Sequence, residues 1–316
     1  MKLNRERLIG ITAGVILCGI TSSLIVPFSG EGQPSNTLYI VKHLLASVQL
    51  NFRGYVSIED RLPDFLNIGF YALLLVGLLI YCSNQKETRM IRFAFAIIFL
   101  DNLISLGISV LSILAAAANP DRDYPFTIFT AVFYTSGLLF LFMSYTVLRY
   151  LQKTKTLSVT YHHSEVLPTS FFIESTRTQR FLHLLVDTLV LYLIFPKFAH
   201  FLYWFGSGDY SGGNNSALIH YCVILAGRVL YYFIMESIWS ATPAKLLTQT
   251  RITDEQGQRV NALNIFGRTL SRFIPFNALS FFGNRGWHDS MSNTYVLRET
   301  YSEEVRFGES AIPSSV

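Results

Sequence analysis

Apolar residues gather into six runs, at about 8–28, 64–82, 93–117, 126–148, 181–204 and 217–240. Each is close to the roughly 20 helical residues needed to cross a hydrocarbon core of about 30 Å. The pattern therefore predicts an all-α membrane protein with six transmembrane helices. Within the first long loop, 29–63, residues Leu38, Val41, Leu44, Leu45 and Val48 recur at helical spacing. The stretch 37–50 is too short to span. It reads either as an interfacial helix or as a short helix packed against the bundle.

The pattern breaks between the fourth and fifth runs. Residues 151–179 are rich in Ser and Thr, hold His162, His163 and Pro168, and keep no helical period, as a cytoplasmic linker would. They separate a four-span region, 1–150, from a two-span region, 180–298. His162 and His163 have no partners at metal-ligand spacing, so a solvated linker is expected there. After the sixth run, Thr242-Pro243 ends the helix, because the residue before proline is driven out of the α region. Alternation on both sides of Asp254-Glu255-Gln256-Gly257 predicts a β-hairpin, with strands near 247–252 and 258–260. The stretch 264–283 is apolar but carries Arg268, Arg272 and Pro275. It is expected to form an amphipathic helix on the inner surface followed by a shallow re-entrant turn, not a seventh span. Residues 299–316 are polar and Ser/Glu-rich, and are expected to form a disordered tail.

Composition agrees with this reading: 51% of residues are hydrophobic, 15% are charged and the mean hydropathy is +0.36. The lipid bilayer is thus the first partner. The net charge of +4 is spread along the loops, which argues against a nucleic-acid partner. With a cytoplasmic N-terminus, nineteen Lys and Arg residues lie on the inner side and four on the outer. That asymmetry predicts a multi-pass plasma-membrane protein with both termini cytoplasmic. The N-terminus has the charge layout of a signal peptide, but its apolar run is too long for one, and Leu17 stands where a lipoprotein cleavage box needs a small residue before Cys18. Cys18, Cys82 and Cys222 show no ligand or disulfide spacing and read as small apolar residues.

The candidate chemistry lies in ionisable residues at membrane depth. Arg180, His183 and Asp187 recur at i, i+3 and i+7, on one helix stripe. At 1.5 Å per residue, Asp187 sits roughly 10 Å into the membrane from Arg180. On the returning span, Arg228 and Glu236 bracket that depth, so Asp187–Arg228 and Arg180–Glu236 pairs are within reach if the helices are neighbours. Asp101-Asn102 in the third span is a secondary site or a buried interhelical hydrogen bond. Either the acids and arginines form a neutralised network that fixes helix register, capped by His288 or Asp289, or Asp187 and Glu236 take up a proton or cation while Arg228 sets their affinity. His288-Asp289 has no nucleophile beside it, and the chain lacks HExxH, P-loop and GxGxxG motifs. No enzyme, catalytic residue, metal site or cofactor is expected.

Over about 170–298 the chain resembles the RDD family of bacterial membrane proteins, named for one arginine and two aspartates. The resemblance rests on Arg180-Phe-Leu-His-Leu-Leu-Val-Asp187, on Glu236 followed by Thr242-Pro243-Ala244-Lys245, on Gly267-Arg268-Thr-Leu-Ser-Arg272-Phe-Ile-Pro275, and on Gly286-Trp287-His288-Asp289. Ala244 replaces the family's usual glycine, which puts the local turn geometry in question. The resemblance implies a role in transport, including exchange of a small cation against protons. A scaffold or assembly factor that binds a protein partner through its cytoplasmic hairpin and the 264–283 helix is the alternative.

Overall fold

A computed structural model describes residues 3–25, 36–48, 65–118, 128–162, 169–206, 215–273 and 287–301. It divides into two compact units, Met1–Leu148 with Val190–Gly227, and Arg149–Leu189 with Arg228–Val316.

In the first unit, helix α1 (Arg5–Leu24) starts at Asn4, whose side chain accepts the Arg7 N–H at 2.9 Å. This is a standard N-cap that satisfies one of the helix's free donors. Helix α1 packs on α3 (Phe65–Ser83), which continues through a short turn into α4 (Arg89–Ala118). Gly19 makes the α1–α3 approach possible, because a Cβ there would stand 2.0 Å from the Tyr71 ring. The Tyr71 hydroxyl meets Ser47 Oγ at 2.8 Å, and the Asn102 amide donates to the Ser47 carbonyl at 2.7 Å and to that of Ile98 at 2.8 Å. Asp101 and Asn102 are both buried. Within 37–50, α2 (Asn36–Leu45) forms and packs on α1, where Ser22 Oγ donates to the Lys42 carbonyl. Leu38, Val41 and Leu44 remain exposed.

Among the described residues, four helices are long and apolar enough to cross a membrane: Arg5–Leu24, Phe65–Ser83, Arg89–Leu111 and Ala131–Lys153, the last within α5 (Ile128–Lys153). Leu17, Leu79 and Phe142 on these helices are 70%, 62% and 63% exposed. Side chains of this kind gain nothing from water and suit a lipid-facing surface. Two further helices, α6 (Arg177–Gly206) and α7 (Asn215–Trp239), are 30 and 25 residues long.

The second unit holds more strand than the single hairpin expected, and the molecule is mostly helical with small antiparallel sheets. The stretch read as linker contains β1 (Lys155–Leu157), β2 (Val159–His162) and β3 (Thr169–Phe172), with β2 and β3 paired. His163 and Pro168 lie outside the described residues. The predicted hairpin is also revised. Strand β4 (Thr250–Thr253) forms and the Asp254–Gly257 turn follows, but 258–260 is not a strand. The partner of β4 is β5 (Tyr295–Tyr301), with Ile252 opposite Val296, and β5 also pairs with β1, giving the order β1-β5-β4. Residues 299–301, expected to belong to the tail, are thus in a strand. Gly257, at φ +75°, closes the turn beneath Phe172 and Leu157, where a side chain would be strained and would clash.

Helix α7 ends on Ser240 at φ 54°. Thr242 then precedes Pro243 at the first position of α8 (Pro243–Leu247), the favoured place for proline in a helix. The alanine that departs from the family pattern causes no strain, because Ala244 is helical and has no positive φ. Helix α9 (Ala262–Ser271) buries Ile265, Arg268 and Thr269 and exposes Leu263, Phe266 and Leu270. It is amphipathic as predicted, but with its arginine inside and an apolar stripe outside. A short helix, α10 (Trp287–Met291), leads into β5. Residues 274–286, where the re-entrant turn was expected, lie outside the described residues.

Candidate functional site

The site is built in the second unit from the N-terminal turns of α6, the C-terminal half of α7, and α8, α9 and α10. Helix α6 is started by a capping box: Thr176 Oγ1 accepts the Gln179 N–H, and Gln179 Oε1 accepts the Thr176 N–H. This sets the rotation of the helix. His183 and Asp187 then face inward and are buried, while Phe181, Leu182, Leu185 and Leu189 face outward. His183 Nε2 meets Thr248 Oγ1 at 2.6 Å and Thr250 Oγ1 at 3.1 Å. Asp187 accepts the Tyr231 hydroxyl at 2.7 Å and the Ala244 N–H at 3.3 Å. The buried Thr242 hydroxyl lies beside it.

Glu236 is fully buried at the centre of a cationic cluster. Lys245 Nζ lies 2.7 Å from its Oε1. Arg272 grips both carboxylate oxygens, at 2.5 and 3.2 Å, and its guanidinium also stacks 3.9 Å from the centre of the Tyr232 ring. Such a bidentate fork adds direction to the Coulombic attraction. Arg268 Nε stands 3.3 Å from Glu236 Oε2, a charge contact without a directed hydrogen bond. Its Nη1 bonds Asp289 Oδ1 and donates to Thr294 Oγ1 at 2.5 Å. Arg268 thus joins Glu236 to Asp289. Three buried acids, Asp187, Glu236 and Asp289, face three buried bases, Lys245, Arg268 and Arg272.

The seven residues singled out from sequence separate as follows. His183 and Asp187 share a buried face of α6, and Glu236 and Asp289 are linked through Arg268. Arg180 pairs with Glu174 at 3.0 Å instead of Glu236, and its charge also acts on Asp289. Arg228 is not the partner of Asp187; it lies 5.7 Å from the Phe273 ring centre, and its Nε has no hydrogen-bond partner. Asp101 belongs to the first unit. Lys245, Arg268, Arg272 and Tyr231 were absent from the sequence-derived site. Lys245 had a visible signal, since it follows Glu236 just beyond the helix-ending proline. The i, i+4 spacing of Arg268 and Arg272 is visible too, but spacing alone points to the membrane surface, whereas both side chains are buried on Glu236. Among the described residues no group of three or more His, Cys, Asp or Glu side chains is arranged to hold a metal ion.

Burial sets the protonation behaviour of the residues beyond α7. It depresses Lys245, against the upward pull of Glu236. Burial would also lower Arg272, but Glu236 outweighs it and the guanidinium is raised. Burial brings His288 down to about 3, although Asp289 opposes this. At Asp289 burial raises the carboxyl, yet Arg268 and then His288 dominate and hold it at about 2.

Stability should therefore fall in two stages on acidification. Below the ordinary histidine value of 6.5, the unfolded chain takes up a proton at His288 that the folded protein refuses until about 3. The Asp289 contribution, of about 2 kcal/mol, is present above the ordinary value of 3.8 and is lost as the pH falls towards about 2. Thermal unfolding in detergent across this range checks both stages. His288→Asn should reduce the slope of the first stage and also shrink the second, because it removes one of the two groups that hold Asp289 low; an unchanged slope below pH 6.5 would contradict the assignment.

Residues 175–293 match the RDD family, and the N-terminal half matches no family. No curated protein and no solved structure matches the chain.

Proposed function

We propose that this protein, with its RDD-type C-terminal region, is a six-span, non-enzymatic protein of the plasma membrane that exchanges a small cation against protons at Asp187. The lengths of α6 and α7 support their assignment as the fifth and sixth spans, and the distribution of Lys and Arg supports cytoplasmic termini. One observation carries the functional reading: Asp187 is the one of the three acids held by neutral donors, Tyr231 and the Ala244 N–H. Glu236 and Asp289 are each in contact with arginine. A carboxylate gripped by guanidinium has little freedom to exchange a proton. One held by a hydroxyl and an amide, with the Thr242 hydroxyl beside it, can trade a proton for a small cation.

Asp187→Asn is expected to abolish pH-gradient-driven cation flux in reconstituted vesicles while the protein stays folded and monodisperse. Flux retained at the wild-type level would remove this reading.

The closed cluster around Glu236 favours a second reading, a non-transporting scaffold or assembly factor. Because Arg268 and Arg272 are buried, its partner would meet the outer stripe of α9, Leu263, Phe266 and Leu270. Crosslinking after mild solubilisation distinguishes the two readings. A specific partner lost on Phe266→Asp, in a protein without flux, supports the scaffold.

A further inference from the structure

A cavity of about 400 Å³ lies in the second unit at the C-terminal ends of α5 and α7. Four basic side chains, Arg149, Lys153, Arg251 and Arg259, line it, and no acid does. The neighbouring acids are engaged. Asp254 accepts the N–H groups of Gln256 at 3.0 Å and Gln258 at 2.7 Å within its own turn, and Glu299 stands 4.0 Å from Arg251. The carbonyls at the end of α7 are also covered, those of Ser237 and Ile238 by Arg259 and that of Trp239 by the Gln152 amide. Arg149 and Lys153 are left over: among the described residues neither has a hydrogen bond or an ion pair.

Topology-setting charge accounts for basic residues on this side of the membrane. It does not account for four of them around one concavity, two without counter-charge. The apolar stretch Ala131–Lys153 ends in this cavity, which places it at the depth of lipid phosphates. We propose that the cavity is a binding site for a phosphate-bearing anion, held by Arg149 and Lys153 with Arg251 and Arg259 behind them. An anionic phospholipid head group and a soluble phosphate share this chemistry.

The test uses the full-length protein in nanodiscs of phosphatidylcholine, with or without phosphatidylglycerol, and separately with inorganic phosphate. Lipid retention is read by native mass spectrometry and protection by thermal unfolding. Arg149→Gln with Lys153→Gln should weaken binding roughly thirtyfold, from two surface cations lost, while Lys86→Gln, a basic residue outside the cavity, should not. Retention of phosphatidylglycerol that inorganic phosphate cannot displace identifies a head-group site. Protection by inorganic phosphate that displaces the lipid identifies a soluble phosphate site. Each outcome supports the proposal if the double variant loses it. If the double variant fails to fold, the two single variants carry the same comparison. Neither probe binding, or equal loss in Lys86→Gln, would overturn it.

Discussion

Glu236→Gln is expected to destabilise the folded protein by about 3–5 kcal/mol, the usual cost of breaking a buried ion pair from one side. Glutamine keeps the shape of the side chain and can still accept hydrogen bonds, so the loss isolates charge. Lys245, Arg268 and Arg272 would then share a buried space without their common counter-ion. Lys245→Met alone should cost less, because Glu236 keeps both arginines. Combining Lys245→Met with Glu236→Gln should recover part of the loss by removing one surplus charge. The non-additivity of this cycle, read from thermal unfolding in detergent, measures the coupling. A Glu236→Gln protein as stable as wild type would show that the cluster is hydrated instead of closed.

Arg268→Lys is expected to be nearly as damaging as Arg268→Met, again by about 3–5 kcal/mol. The guanidinium meets Glu236 through one nitrogen and Asp289 and Thr294 through another, and it is completely buried. A lysine ammonium is a single point charge and cannot span both carboxylates from one stem. One carboxylate would be left with weaker compensation, and α9 would lose its tie to α10. The same measurement applies, with circular dichroism to establish that the helices persist. Full rescue by lysine would mean that charge alone, and not the fork, holds the two acids.

Much of the local structure was legible in the sequence. The four described spanning helices coincide with apolar runs because a helix in lipid must satisfy its backbone internally and cover it with apolar side chains, and both needs are written locally. Thr242-Pro243 ended α7 for an equally local reason, as did the buried face shared by His183 and Asp187. The sheet was less legible. Alternation around the Asp254–Gly257 turn pointed to a local hairpin, yet the strand that pairs with β4 is β5, more than 40 residues later. Tyr295–Tyr301 is rich in β-forming side chains, but its Arg and Glu made the end of it read as tail. Glu299 is nonetheless buried, near Arg251.

The site shows the same division. Spacing along a helix placed Asp187 and Glu236 at membrane depth, and the cost of isolated charge there required that they be compensated. Spacing could not choose the compensating groups. Arg180 and Arg228 were the nearest cations along the chain, while the actual partners of Glu236 arrive from α8 and α9, beyond a proline and a strand. The sequence by itself thus determined which segments are membrane-like, where the helices stop, and that buried acids need partners. The tertiary structure decided that Glu236 and Asp289 share Arg268 and that Asp187 is left to neutral donors. The physical reason is that periodicity acts within one element, whereas an ion pair forms between whichever side chains folding brings within a few ångströms.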